Sequence, residues 1–162
     1  MRTPGDFDAL VGPHLESGYG LAVTYLRDPD EAHDAVQEAA IKAWRSLDRL
    51  RDPALARSWF LSIIANECRS IMRRHWWKLG RNPVGPLRTG WREDSVVASL
   101  DIEAGMRRLS ADDRAVLHLH FYLDMPLDEV ARTLGVTVPA ARSRLYRAAK
   151  RLRPELTEAV LT

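Results

Sequence analysis

Between residues 142 and 150 the chain places Arg142, Ser143, Arg144, Tyr146, Arg147 and Lys150 without a single intervening acid. The chemistry these side chains offer is recognition. A guanidinium fork matches the paired acceptors on the major-groove edge of guanine, and hydroxyl or ammonium groups suit phosphate oxygens. To act together they must share one side of a helix. Ala141, Leu145, Ala148 and Leu152 recur at the helical repeat and form a stripe to be buried, which turns Arg142, Ser143, Tyr146, Arg147 and Lys150 outward. The alternative is a charged helix that merely meets solvent. The absence of compensating acids and the turn chemistry in front of the helix favour DNA.

Bond-making chemistry has no comparable basis. The chain shows no glycine-rich phosphate loop, nucleophile elbow or paired carboxylate constellation. His118 and His120 stand two apart, so on a helix they point in different directions and do not grip one metal. The single cysteine, Cys68, has no partner for a disulfide or a CxxC site and reads as a small core residue. A non-enzyme without metal or cofactor is expected.

The recognition helix needs a support, and the residues before it supply one. Glu129 to Pro139 has the form of a helix, a turn and a second helix start. Ala131 is small enough for two helices to cross closely, Gly135 supplies a left-handed turn residue, Val136 plugs the gap beneath it, and Thr137 caps the last helix with Pro139 in its first turn. Upstream, helical periodicity dominates, so the fold is read as all-α, with two small helical domains. A first helix is expected over 6–26, weakened at Gly12-Pro13 and at Gly18 and Gly20. Asp28-Pro29-Asp30-Glu31 opens a second, with Asp28 as N-cap and Pro29 at the first position. It should bury Ala32, Ala35, Val36, Ala39, Ala40, Ala43, Trp44 and Leu47 and present Asp34, Gln37, Glu38 and Lys42. A third is expected over 55–76, burying Trp59, Phe60, Ile63, Ile64 and Ile71. The breakers between Leu79 and Glu93 mark a linker, and four further helices follow: 96–109, 111–123, 127–134 and one after Thr137. The resulting division is 1–78, a linker 79–94, and 95–162. Trp76, Trp77 and Trp91 flank the linker; core and interdomain packing is expected of them, with stacking on DNA as the alternative.

Totals agree with this plan. A chain of 162 residues accommodates two small domains, and its 28% charged and 46% hydrophobic residues are ordinary for a globular protein. No apolar run is long enough to span a bilayer and the N-terminus lacks a signal core, so a cytoplasmic protein is expected. The net charge of +2 hides segregation: Met1 to Glu38 carries eight acids against Arg2 and Arg27, whereas Arg69 to Arg92 and Val130 to Pro154 each carry seven Lys or Arg and no acid. Two basic surfaces and one acidic surface imply a polyanion and a separate, basic partner.

These blocks resemble a known family. Ser110 to Leu156, with Ser143-Arg144-Leu145-Tyr146-Arg147-Ala148 inside it, resembles region 4 of extracytoplasmic-function (ECF, group IV) sigma factors of bacterial RNA polymerase. Asp34-Ala35-Val36-Gln37-Glu38 with Ala43-Trp44 resembles their region 2.2, and Trp59 to Asn66 their regions 2.3 to 2.4. The resemblance implies that Asp34, Gln37, Glu38 and Lys42 dock core RNA polymerase through its β′ subunit, with the β subunit as a further contact. It implies that the loop from Arg49, with Ser58, Trp59, Ser62, Asn66, Arg69, Arg73 and Arg74, melts and reads a minus-ten element. Arg142, Ser143, Arg144, Tyr146, Arg147 and Lys150 would then read the minus-thirty-five element as duplex. An anti-sigma factor is the implied regulator. The chain departs from the commonest family pattern at Ser62, at Ala140-Ala141 and at Pro126, where a capping Ser or Thr is usual. The competing class is a stand-alone helix-turn-helix regulator, which should bind duplex DNA without polymerase.

Overall fold

The computed structural model describes residues 2–79 and 104–152; their regular elements are all helical, with no strand among the described residues. The chain starts with α1 (Pro4–Leu10), a short 3-10 turn over Gly12–His14, and α2 (Leu15–Leu26). The single helix expected over 6–26 is therefore broken where Pro13 cannot donate a backbone N–H. Its start lies earlier than expected because Thr3 and Asp6 form a reciprocal capping box, with Pro4 at the first position. Next comes α3 (Pro29–Arg45), where the Asp28 carboxylate accepts from the backbone N–H groups of Asp30 and Glu31 at 2.9 and 3.3 Å. Two 3-10 turns, Leu47–Arg49 and Pro53–Leu55, lead into α4 (Ala56–Leu79).

After the linker, residues 104–107 are helical, and α5 (Ala111–Leu117) starts at the Ser110 hydroxyl, which accepts from Asp113 N–H at 3.2 Å. It continues as a π-helical turn over His118–Tyr122. Then come α6 (Leu127–Leu134) and α7 (Val138–Leu152). The expected linker, Trp91 and most of the helix expected over 96–109 lie outside the described residues.

One core runs through both halves of the chain. Leu21, Tyr25, Phe60, Leu61 and Ile64 from the first half share it with Val116, Leu119, Val130, Leu134 and Leu145 from the second. α2, α3 and α4 pack together; α5 lies against α2, and α6 against α4. Cys68 is fully buried here, where loss of hydration pushes its thiol up to about 12.

Three tryptophans depart from expectation. Trp44, placed on the core stripe of α3, is 45% exposed and meets Phe7 edge-on at 5.6 Å. Its angular position is one step past the alanine stripe, so the indole spills onto the outer side. Trp76 and Trp77, expected in core or interdomain packing, are exposed, because α4 runs on past the body of the fold.

Candidate nucleic-acid interface

The helix-turn-helix is built by its turn. Gly135 adopts φ 68° and ψ 35°, the left-handed geometry that an L side chain pays for sterically. Val136 N–H then reaches back to Ala131 C=O at 3.0 Å, closing α6. Thr137 Oγ1 accepts from Ala140 N–H at 3.2 Å and opens α7. Pro126 begins α6 with no side-chain cap; its carbonyl takes the Glu129 and Val130 N–H groups, both at 3.0 Å.

On α7 the buried side is Ala141, Leu145, Ala148 and Ala149. Arg142, Ser143, Arg147 and Lys150 are exposed on the opposite side, and Tyr146 is half-buried between them. Arg144 is drawn to the edge: its Nε lies 3.9 Å from Asp113 of α5, which also takes Arg151 at 3.6 Å. Four of the six expected side chains thus form one solvent-facing set with no acid in it, an arrangement that fits a groove edge and its phosphates.

Along α4, Trp59, Ser62, Asn66, Arg69 and Arg73 recur at intervals of three and four and occupy one stripe. Trp59 and Ser62 are half-buried, with the Ser62 hydroxyl donating to Trp59 C=O at 2.6 Å, while Asn66, Arg73 and Arg74 are exposed. Ser58 is buried and donates to Leu55 C=O at 3.2 Å, so its hydroxyl serves the helix start. On α3, Asp34, Gln37 and Glu38 are exposed, joined by Ile41 and Trp44, giving an acidic face with an apolar centre. Lys42 leans the other way and pairs with the buried carboxylate of Glu67 on α4.

Residues 10–78 match the family model of sigma-70 region 2, and residues 99–152 match that of sigma-70 region 4. RNA polymerase sigma factor SigV of Bacillus subtilis is 30% identical over 91% of this chain and 89% of its own length. The ECF RNA polymerase sigma factor SigL of Mycobacterium tuberculosis is 31% identical over 95% of this chain and 90% of its own. The chain belongs to the ECF sigma factors. Its fold is similar to that of the sigma factor RpoE, solved in complex with the anti-sigma factor NepR from Bartonella quintana; the TM-score is 0.74 at 24% identity, over 93% of this chain and 96% of that one. The two-region match leaves a stand-alone helix-turn-helix regulator unsupported, since such a protein has no reason to carry region 2.

In this sigma factor the two regions are latched together by contacts that sequence reasoning did not anticipate: Arg57, Asp112 and Arg114 were not singled out, and Arg69 was expected only on the minus-ten face. Arg57 at the start of α4 donates from Nε and Nη2 to both oxygens of Glu129 on α6, each at 2.7 Å, and this bidentate pair raises the Arg57 pKa. Arg69 Nε donates to Asp112 at 3.1 Å, and its Nη2 to Leu134 C=O at 3.3 Å. The same Asp112 oxygen accepts from Tyr25 O–H at 2.9 Å. Arg114, buried in the seam, donates to Thr24 C=O at 3.1 Å and Tyr25 C=O at 3.3 Å, and so caps the buried carbonyl end of α2 from the other half of the chain. Burial lowers its pKa to about 10, which leaves it charged at neutral pH. Arg114 also donates to the nearby Leu109 C=O at 2.7 Å, but its two acceptors on α2 lie some ninety positions away in sequence, where nothing local marks the pairing.

Proposed function

We propose that this sigma factor directs promoter-specific initiation through three faces, divided between 1–78 and 95–162 with 79–94 as linker. The outer side of α3, with Asp34, Gln37 and Glu38, docks core RNA polymerase, mainly its β′ subunit. The α4 stripe of Trp59, Ser62, Asn66, Arg69 and Arg73, with Arg74 beside it, melts and reads the minus-ten element. Arg142, Ser143, Arg147 and Lys150 on α7 read the minus-thirty-five duplex, with Arg144 and Tyr146 at the margin.

The observation that carries this reading is the acid-free outer face of α7 behind a left-handed Gly135 turn. Such a helix presents its donors as a unit to a major groove. The chain itself is not an enzyme: polymerase supplies the catalytic chemistry, and the two meet in the cytoplasm where promoter DNA is. Because Arg57 and Arg69 are tied to Glu129 and Asp112, α6 must leave α4 before the minus-ten face can close on DNA. A protein that holds this seam shut would keep the factor inactive, and an anti-sigma factor is the proposed regulator.

Run-off transcription with purified core RNA polymerase, with and without this chain, on a library of upstream fragments tests the reading. Transcripts that require the chain and share a two-part motif are the expected result. Tight, specific binding to duplex DNA without polymerase, and no transcripts, would favour a stand-alone regulator.

A further inference from the structure

The α4 stripe does not stop at Arg73. The spacing that links Trp59, Ser62, Asn66, Arg69 and Arg73 continues to Trp77, so a helix of uniform 3.6-residue repeat places Trp77 on the same side, with Trp76 at its edge. The first part of this stripe is covered in the latched state, where Arg69 is held by Asp112 and the Leu134 carbonyl. The far end is open. Trp77 is 82% exposed and Trp76 54% exposed.

A single apolar side chain on a surface needs no explanation, but two adjacent indoles turned to water among cations do. Arg73, Arg74 and Lys78 are exposed around them; among the described residues Glu67 takes Lys42 and lies 3.9 Å from Arg74, Glu31 takes His75, and neither Arg73 nor Lys78 has an ion pair. Aromatic rings among exposed cations are the equipment that single-stranded nucleic acid requires, since bases stack on the rings while phosphates meet the charges. A basic patch of this kind does not suit a basic or purely apolar protein surface.

We propose that Trp77, supported by Trp76, is an additional DNA-binding residue of this sigma factor that stacks on a promoter base at the border between duplex and melted DNA, while Arg73, Arg74 and Lys78 hold the flanking phosphates. The inference rests on the minus-ten assignment of α4. Eight residues separate Trp77 from Arg69, about 12 Å along the helix axis, so the ring would meet a different nucleotide from the one nearest Arg69.

The test uses reconstituted holoenzyme and fork-junction promoter DNA carrying 2-aminopurine at successive positions near the fork. Binding is measured for wild type, Trp77→Ala, Trp77→Leu and Trp77→Phe. Ala and Leu should bind roughly ten- to a hundredfold more weakly, with loss of quenching at one or two adjacent positions, and Phe should recover most of both. All three variants matching wild type would overturn the inference. So would equal weakening by Ala, Leu and Phe, or an Ala defect already present in DNA-free binding to core polymerase, which would make Trp77 a protein contact. If the wild-type holoenzyme itself fails to bind promoter DNA, the sigma reading fails and the inference with it, a result recognisable before any variant is compared.

Discussion

At the scale of single residues, two side chains make opposite demands on their surroundings. Arg147 is exposed, and among the described residues its hydrogen bond is Nε to Ser143 C=O at a long 3.4 Å, so the fold of these residues does not depend on it. Arg147→Ala should leave thermal unfolding unchanged and weaken promoter-specific transcription by about 1–3 kcal/mol of base discrimination. Unchanged run-off transcription from a cognate promoter would count against its assignment. His118 is buried in the seam and stacks on Tyr122 at 4.8 Å. Loss of hydration holds its pKa down to about 4, from 6.5. The unfolded chain therefore takes up this proton first as pH falls. Folded stability is full above about pH 6.5 and declines as pH drops toward 4. At about 1.4 kcal/mol per tenfold change in proton affinity, His118→Gln should remove roughly 2–3 kcal/mol of the acid-induced loss. Urea midpoints at pH 7 and pH 4.5 for the two proteins check this, and parallel losses in both would exclude His118 as the titrating group.

At the scale of elements, several helix starts and one stop have a local cause, and those causes are what sequence reading recovers. Asp28, Ser110 and Thr137 cap helices through their own side chains, and Gly135 ends one through its backbone. No atom lies within 4 Å of a methyl group built on Gly135, so Gly135→Ala should cost only the left-handed backbone penalty, about 1–2 kcal/mol, and Gly135→Asn less. Chemical denaturation of the three proteins gives the order directly; an alanine variant as stable as wild type would show that the turn relaxes to another geometry. Legibility failed where an element's end depends on how far it projects from the body of the fold. Trp76 and Trp77 carry the composition of a core, and α4 carries them beyond one.

At the scale of the whole molecule, the decisive feature is the seam. Glu129 and Asp112 tie α6 and α5 to Arg57 and Arg69, which lie on the element proposed to read DNA. Glu129→Gln with Asp112→Asn should loosen the closed arrangement, with each charge-assisted contact worth roughly 1–2 kcal/mol after partial solvent screening. The double variant should show a larger radius of gyration by X-ray scattering and faster amide exchange in α6. Added salt should move wild type in the same direction. A variant as compact and as protected as wild type would mean that the shared apolar core alone holds the halves together.

The sequence by itself determined the all-helical class, the placement of several caps, the acid-free face of α7 and the family resemblance, because each is encoded by residue type at spacings of a few positions. Only the tertiary structure decided that Arg57, Arg69 and Arg114 spend their charge across the seam, that Ser58 faces inward, that Lys42 turns to Glu67 and that Trp76 and Trp77 face water. The reason is physical: burial and ion pairing depend on which groups the fold brings within about 3 Å, and partners dozens of positions apart leave no periodic trace in the chain.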